Sequence, residues 1–76
     1  MKQYNGHRSW NAWNVSLWIA NEEGIYRFAM ELLRECNNDV NKAARRFMRN
    51  FQGQTTPDGA KYNRLSVKLA LQGLSE

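Results

Sequence analysis

The segment from Trp10 to Ala20, WNAWNVSLWIA, constrains the fold most, because no helical register leaves it with a single dry side. At about 100° per residue, Trp10, Trp13, Leu17 and Ala20 share one side while Val15, Trp18 and Ile19 lie around the other. A helix apolar nearly all the way round is either central to its fold or covered on a second side by something else. The chain has 76 residues, enough for one small domain and no second. With 42% hydrophobic residues it is too apolar for disorder, and with one proline and five glycines it is too poor in breakers for an all-β fold. Cys36 is the only cysteine and His7 the only histidine, so neither an internal disulfide nor a His/Cys metal site is available as a staple. Stability has to come from packing or from a partner.

The expectation is an all-α, single-domain bundle of three or four short helices, at about residues 10–20, 22–36, 39–52 and 64–74. Ser9 is placed to cap the first helix and Asn21 the second, with Glu22 and Glu23 favouring the positive end of the second helix dipole. Ile25, Phe28, Ala29, Leu32, Leu33 and Cys36 then form one stripe, and Glu23, Arg27, Glu31 and Arg34 lie opposite at ion-pair spacing. Asn37-Asn38 breaks that helix, and Asn38 or Asp39 starts the next, whose apolar side is Val40, Ala43, Ala44, Phe47, Met48 and Phe51. Gly53 ends it. The stretch Gln54 to Gly59 reads as a turn with Pro57 presetting φ; Thr56 capping a helix that opens on Pro57 is the competing reading, and Gly59 weighs against it. Val67, Ala70, Leu71 and Leu74 form one stripe of the last helix, and Leu65 and Leu69 another.

Charge is uneven along the chain. Residues 1–38 carry four basic and four acidic groups, whereas residues 39–76 carry seven basic and three acidic, so the whole net charge of +4 sits in the second half. Lys42, Arg45, Arg46 and Arg49 fall within one arc of the third helix, opposite its apolar side. Such a stripe suits an anionic partner, either phosphate or an acidic protein surface, although it also serves solubility alone. Lys61, Arg64 and Lys68 are available to add phosphate contacts.

Nothing in the sequence forms a catalytic constellation. There is no Gly-rich phosphate loop, no metal-ligand spacing, and no nucleophile arranged with His7. Glu22 and Glu23 point about 100° apart on a helix and are not an acid/base pair. Cys36, on the apolar stripe, reads as a small buried hydrophobe. No enzyme, cofactor or metal is expected. Three tryptophans within nine residues exceed what one short helix needs for packing. A core role is the simpler account of Trp13 and Trp18 individually, whereas Trp10, near Tyr4 and His7, suits an exposed binding patch that Trp13 would extend.

The run Tyr4-Asn5-Gly6, then Ser9 through Tyr26 (SWNAWNVSLWIANEEGIY), with Thr56-Pro57-Asp58-Gly59-Ala60-Lys61-Tyr62 near the other end, resembles a small uncharacterised family of phage and prokaryotic genomes. Its members look like YNGW, two variable residues, ETWNVALWI, one variable residue and NDEGLY, followed by TPDGVKW. This chain departs from that pattern at His7, where an aromatic is usual, and at Asn11-Ala12, where Glu-Thr is usual. The resemblance implies a phage or mobile-element setting and carries no activity with it.

The expected function is a small non-catalytic binding protein that docks on a host protein with an acidic surface and modulates or inhibits it. The residues assigned to that partner are Tyr4, His7, Trp10, Trp13, Lys42, Arg45, Arg46 and Arg49. The alternative is a nucleic-acid binder using Lys42, Arg45, Arg46, Arg49, Lys61, Arg64 and Lys68 on phosphates; the stripe lacks interspersed base-reading side chains, so backbone contacts would dominate. A second copy of the chain, forming a homodimer over the tryptophan face, is a further candidate partner. No apolar run reaches bilayer length and Met1 to Asn5 lack the apolar core of a secretory signal, so a membrane role is not expected and the compartment is expected to be the cytoplasm, that of the host if the chain is phage-encoded.

Overall fold

Ser9 opens the first helix as its hydroxyl predicts: the backbone is extended there and Oγ accepts the Ala12 N–H at 3.2 Å. The computed structural model describes residues 9–75 and contains four helices: α1 (Trp10–Asn21), α2 (Glu23–Glu35), α3 (Val40–Phe51) and α4 (Arg64–Ser75). The protein is therefore an all-α single domain, and the expected boundaries agree to within about one residue. Among the described residues the only β pairing is one isolated antiparallel bridge, Thr55 to Lys61.

Glu22, not Asn21, caps α2. Asn21 is still inside α1, and the Glu22 N–H closes the α1 ladder on the Trp18 carbonyl at 2.9 Å. The same residue then turns extended and its Oε1 accepts the N–H groups of Gly24 at 2.8 Å and Ile25 at 3.4 Å. A one-residue link leaves no separate cap position, and a carboxylate there satisfies two orphan donors and also faces the positive helix end.

The α2–α3 corner is made by two consecutive asparagines at positive φ, Asn37 (54°) and Asn38 (64°). Asparagine tolerates this region better than other residues carrying a Cβ. The Asn38 N–H bonds the Leu33 carbonyl at 2.7 Å and the Asn37 N–H bonds that of Arg34 at 3.2 Å, the 6→1 and 5→2 pair that closes a helix end. Asp39 follows and caps α3 through the Lys42 N–H at 3.1 Å.

After α3, Gly53 sits at φ 81° and the chain enters the turn Thr56-Pro57-Asp58-Gly59, closed by the Gly59 N–H on the Thr56 carbonyl at 2.9 Å. The turn reading thus holds over a Pro57-initiated helix. Asn63 Oδ1 accepts the Ser66 N–H at 2.8 Å and starts α4.

The helices form a diamond in section: α2 and α4 touch each other and both flank α1 and α3, whose backbones stay apart across the core. Val15 and Ile19 of α1, Leu33 of α2, Phe47 of α3 and Val67 and Leu71 of α4 are fully buried between them. An aromatic group fills the α3 end: Phe47 stacks on Phe51 at 4.3 Å, with Tyr62 4.9 Å from Phe51 and Phe28 5.5 Å from Phe47. Cys36 is buried among these residues, as its place on the stripe predicts. The second stripe of α4 is not core: Leu69 is half-buried and Leu65 is 51% exposed.

Candidate functional site

The all-round apolarity of α1 resolves into three directions. Ala12, Val15 and Ile19 face the core and are buried. About 100° away, Asn11, Asn14 and Trp18, at i, i+3 and i+7, face the α3–α4 loop. Trp10, Trp13, Leu17 and Ala20 make up the third side. The loop is the cover that the sequence pattern demanded.

The contact with the loop is a closed polar network. Asn14, only 2% exposed, donates through Nδ2 to Asp58 Oδ2 at 2.9 Å and accepts the Thr56 hydroxyl proton on Oδ1 at 2.6 Å. Thr56 Oγ1 also accepts the Ala60 N–H at 3.1 Å. The Trp18 indole N–H donates to the same Asp58 oxygen at 2.9 Å. Asn11 holds the other end of the loop as a strand neighbour would: its Oδ1 accepts the Lys61 N–H at 2.8 Å and its Nδ2 donates to the Lys61 carbonyl and Ser66 Oγ, both at 2.9 Å. Among the described residues no buried side-chain polar atom lacks a partner. Hydrogen bonds from Asn14 and from Trp18 hold the Asp58 carboxyl below its ordinary range, with partial desolvation opposing them. The site therefore holds a fixed anion and a hydroxyl whose bonds are already made, which is an arrangement for fastening a loop.

These residues were not singled out from the sequence as a site. The available signal was the pair of amides, Asn11 and Asn14, inside an otherwise apolar helix, together with the Thr-Pro-Asp-Gly turn that supplies their complements.

The outward side of α1 carries the remaining candidates. Trp10 is 40% exposed and Leu17 36%, while Trp13 and Trp18 are half-buried, so neither of these two is a full core residue. The helix contains no charged residue. Tyr4 and His7, assigned with Trp10 to one patch, lie outside the described residues.

The cations are elsewhere. Lys42, Arg45, Arg46 and Arg49 are all exposed on α3, as the period predicts. Arg46 reaches Glu35 of α2 at 3.6 Å, whereas Lys42, Arg45 and Arg49, like Arg64 and Lys68 of α4, belong to none of the ion pairs among the described residues. The other two ion pairs, Arg27 to Glu23 at 2.7 Å and Arg34 to Glu31 at 3.9 Å, stay within α2, on the face expected for them. Lys61 is set apart from the stripe by the grip of Asn11 on its backbone and lines a cavity of about 320 Å³ with Gln54, Tyr62 and Asn63. Burial raises the Tyr62 phenol, and the negative charge of Glu22 adds to the effect. Because α1 and α3 lie across the core from each other, the aromatic and the basic candidates form two separate surfaces and not one epitope.

No group of three or more His, Cys, Asp or Glu among the described residues is placed to hold a metal ion, and none of their helices is long and apolar enough to cross a membrane. No curated protein and no solved structure matches the chain. Its whole length bar one residue is nevertheless matched by a family model, over residues 1–75, and on that match the chain belongs to a family of unknown function (DUF7249).

Proposed function

We propose that the chain is a non-catalytic binding protein that docks on a second protein through the outward side of α1. One observation carries the reading: a helix with no charged residue turns Trp10 and Leu17 outward, although burial of large apolar side chains is the main stabilising term available to so small a domain. Tryptophan at the centre of a patch is also the residue type that contributes most when a partner covers it. The all-neutral rim of α1 suits a partner surface that is itself apolar at its centre. A phage setting, with a host protein as the target to be modulated, is the context that the resemblance of the Trp10–Tyr26 and Thr56–Tyr62 blocks favours.

The test compares proteins retained from a bacterial lysate by the immobilised chain and by Trp10→Ala, Leu17→Ala and the double variant. The expected outcome is a discrete partner lost at least tenfold in the double variant while helicity by circular dichroism is unchanged. Retention of the same partner by all four proteins would place the docking surface elsewhere. Loss of helicity in Trp10→Ala would instead make that side chain a structural one.

A further inference from the structure

A second surface follows from how charge is divided among the helices. Neither α3 nor α4 contains an acidic residue, and together they carry six cations: Lys42, Arg45, Arg46, Arg49, Arg64 and Lys68. The two helices run antiparallel, since Tyr62 at the start of α4 packs on Phe51 at the end of α3, and Leu74 and Ser75 line a cavity with Asn37 and Asn38 beside the start of α3. The Arg46–Glu35 ion pair fixes the α2 side of α3, and the Asn11–Ser66 hydrogen bond fixes the α1 side of α4. The helical period then sets Arg45 toward the α4 flank of α3, and Arg64 and Lys68 on the α3 flank of α4. Among the described residues, five cations that belong to no ion pair, Lys42, Arg45, Arg49, Arg64 and Lys68, thus border one two-helix surface, with Asp39, the α3 cap, at its end.

We infer that this α3–α4 surface binds the phosphate backbone of double-stranded nucleic acid without reading its sequence. The outward arc of α3 is Asn41, Lys42, Arg45, Arg46, Arg49 and Asn50, all exposed and none apolar, and on α4 the large apolar side chain that is exposed is the single Leu65, too little for the dry centre that a protein interface is built around. None of the exposed large apolar side chains on α3 or α4 is aromatic, so the surface has no platform for stacking unpaired bases. What it offers is an array of cations, and a duplex presents the dense line of negative charge, about one per 1.7 Å of axis, that such an array neutralises. Two of them stand where local stability opposes them: Lys42 is in the first turn of α3 and Arg64 opens α4, both at positive helix ends. This surface is independent of the α1 face, and either can fail without the other.

The experiment measures affinity for a random-sequence DNA duplex of roughly two helical turns, for one of its strands, and for polyglutamate of equal charge, over about 50 to 200 mM salt. Five contacts predict a log–log salt slope of roughly −4.5, a loss of roughly 500-fold across that range, with the duplex bound more tightly than the single strand or polyglutamate. Replacing Lys42, Arg45 and Arg49 together by Gln, a good helix former on an exposed face, should bring the slope to roughly −2 with helicity intact. Arg46→Gln, whose side chain is shared with Glu35, should change the slope less than Arg45→Gln. No duplex binding at the lowest salt, equal affinity for polyglutamate or for the single strand, or an unchanged slope in the triple variant would each overturn the inference.

Discussion

Asn14 is the residue on which the packing of the α3–α4 loop turns. Its amide is spent on two partners from one loop, Asp58 and Thr56, and burial at 2% exposure means that water cannot replace either. Asn14→Ala should therefore lower stability by about 1–3 kcal/mol in denaturant unfolding, whereas Asn21→Ala, exposed on the same helix, should change it by about 0.5 kcal/mol or less. Equal losses from the two would contradict the distinction between the sides. Asp58 provides a pH signature. Its folded-state pKa lies below the ordinary value of 3.8, so the loop contact is at full strength above that value and weakens only as pH falls through the lowered one. The Trp18 indole N–H resonance should thus stay fixed from neutral pH down to about 4 and shift only in stronger acid; a midpoint above 3.8 would show the hydrogen bond to be weaker than its geometry implies. Residue-level legibility was uneven for a physical reason. Ser9 and Asp39 announce themselves by acting on a backbone N–H three residues away, but Asn14 acts on partners more than forty positions away, which no local pattern encodes.

Helix ends were legible because each is written in a few adjacent residues. Ser9, Asp39 and the Gly53 stop lie where the sequence sets them, and the exception, Glu22 in place of Asn21, arises because two helices share one junction residue. A pair of glycine substitutions separates backbone from packing effects here. Nothing lies within 4 Å of a Cβ built at Gly53 or at Gly73, so neither substitution meets a clash. Gly53 sits at φ 81°, where a Cβ is strained, so Gly53→Ala should destabilise by about 1 kcal/mol; Gly73 lies inside α4, so Gly73→Ala should stabilise by about 0.4–1 kcal/mol. Thermal midpoints moving in the same direction would contradict this reading. The exposed side of α1 and the second stripe of α4 were less legible, since an apolar residue reads alike whether a neighbour covers it or not: Leu65 and Trp10 are outside, Val15 and Ile19 inside.

At the scale of the molecule, three kinds of helix surface can be told apart: a neutral aromatic one on α1, a mixed one on α2 that pairs with itself twice and with Arg46 of α3 once, and an acid-free basic one on α3 and α4. The basic stripe and the tryptophan cluster were both visible in the sequence, but their separation was not, because it depends on α2 and α4 standing between α1 and α3. The single core that holds this arrangement centres on Phe47, which reaches Phe28, Phe51 and Tyr62, so Phe47→Ala should cost about 3–5 kcal/mol and dissolve both surfaces together, read as loss of helicity and of every binding activity at once. Whether the two surfaces work independently can be read from one measurement. The immobilised chain, the double variant of Trp10 and Leu17 to alanine, and the triple variant of Lys42, Arg45 and Arg49 to glutamine are each exposed to bacterial lysate with and without exhaustive nuclease, and the retained protein and nucleic acid are quantified. The expected result is a protein partner that survives nuclease and the triple variant but is lost in the double variant, with nucleic acid following the opposite pattern. A partner that disappears with nuclease or with the glutamines, or variants that abolish both activities together, would contradict it.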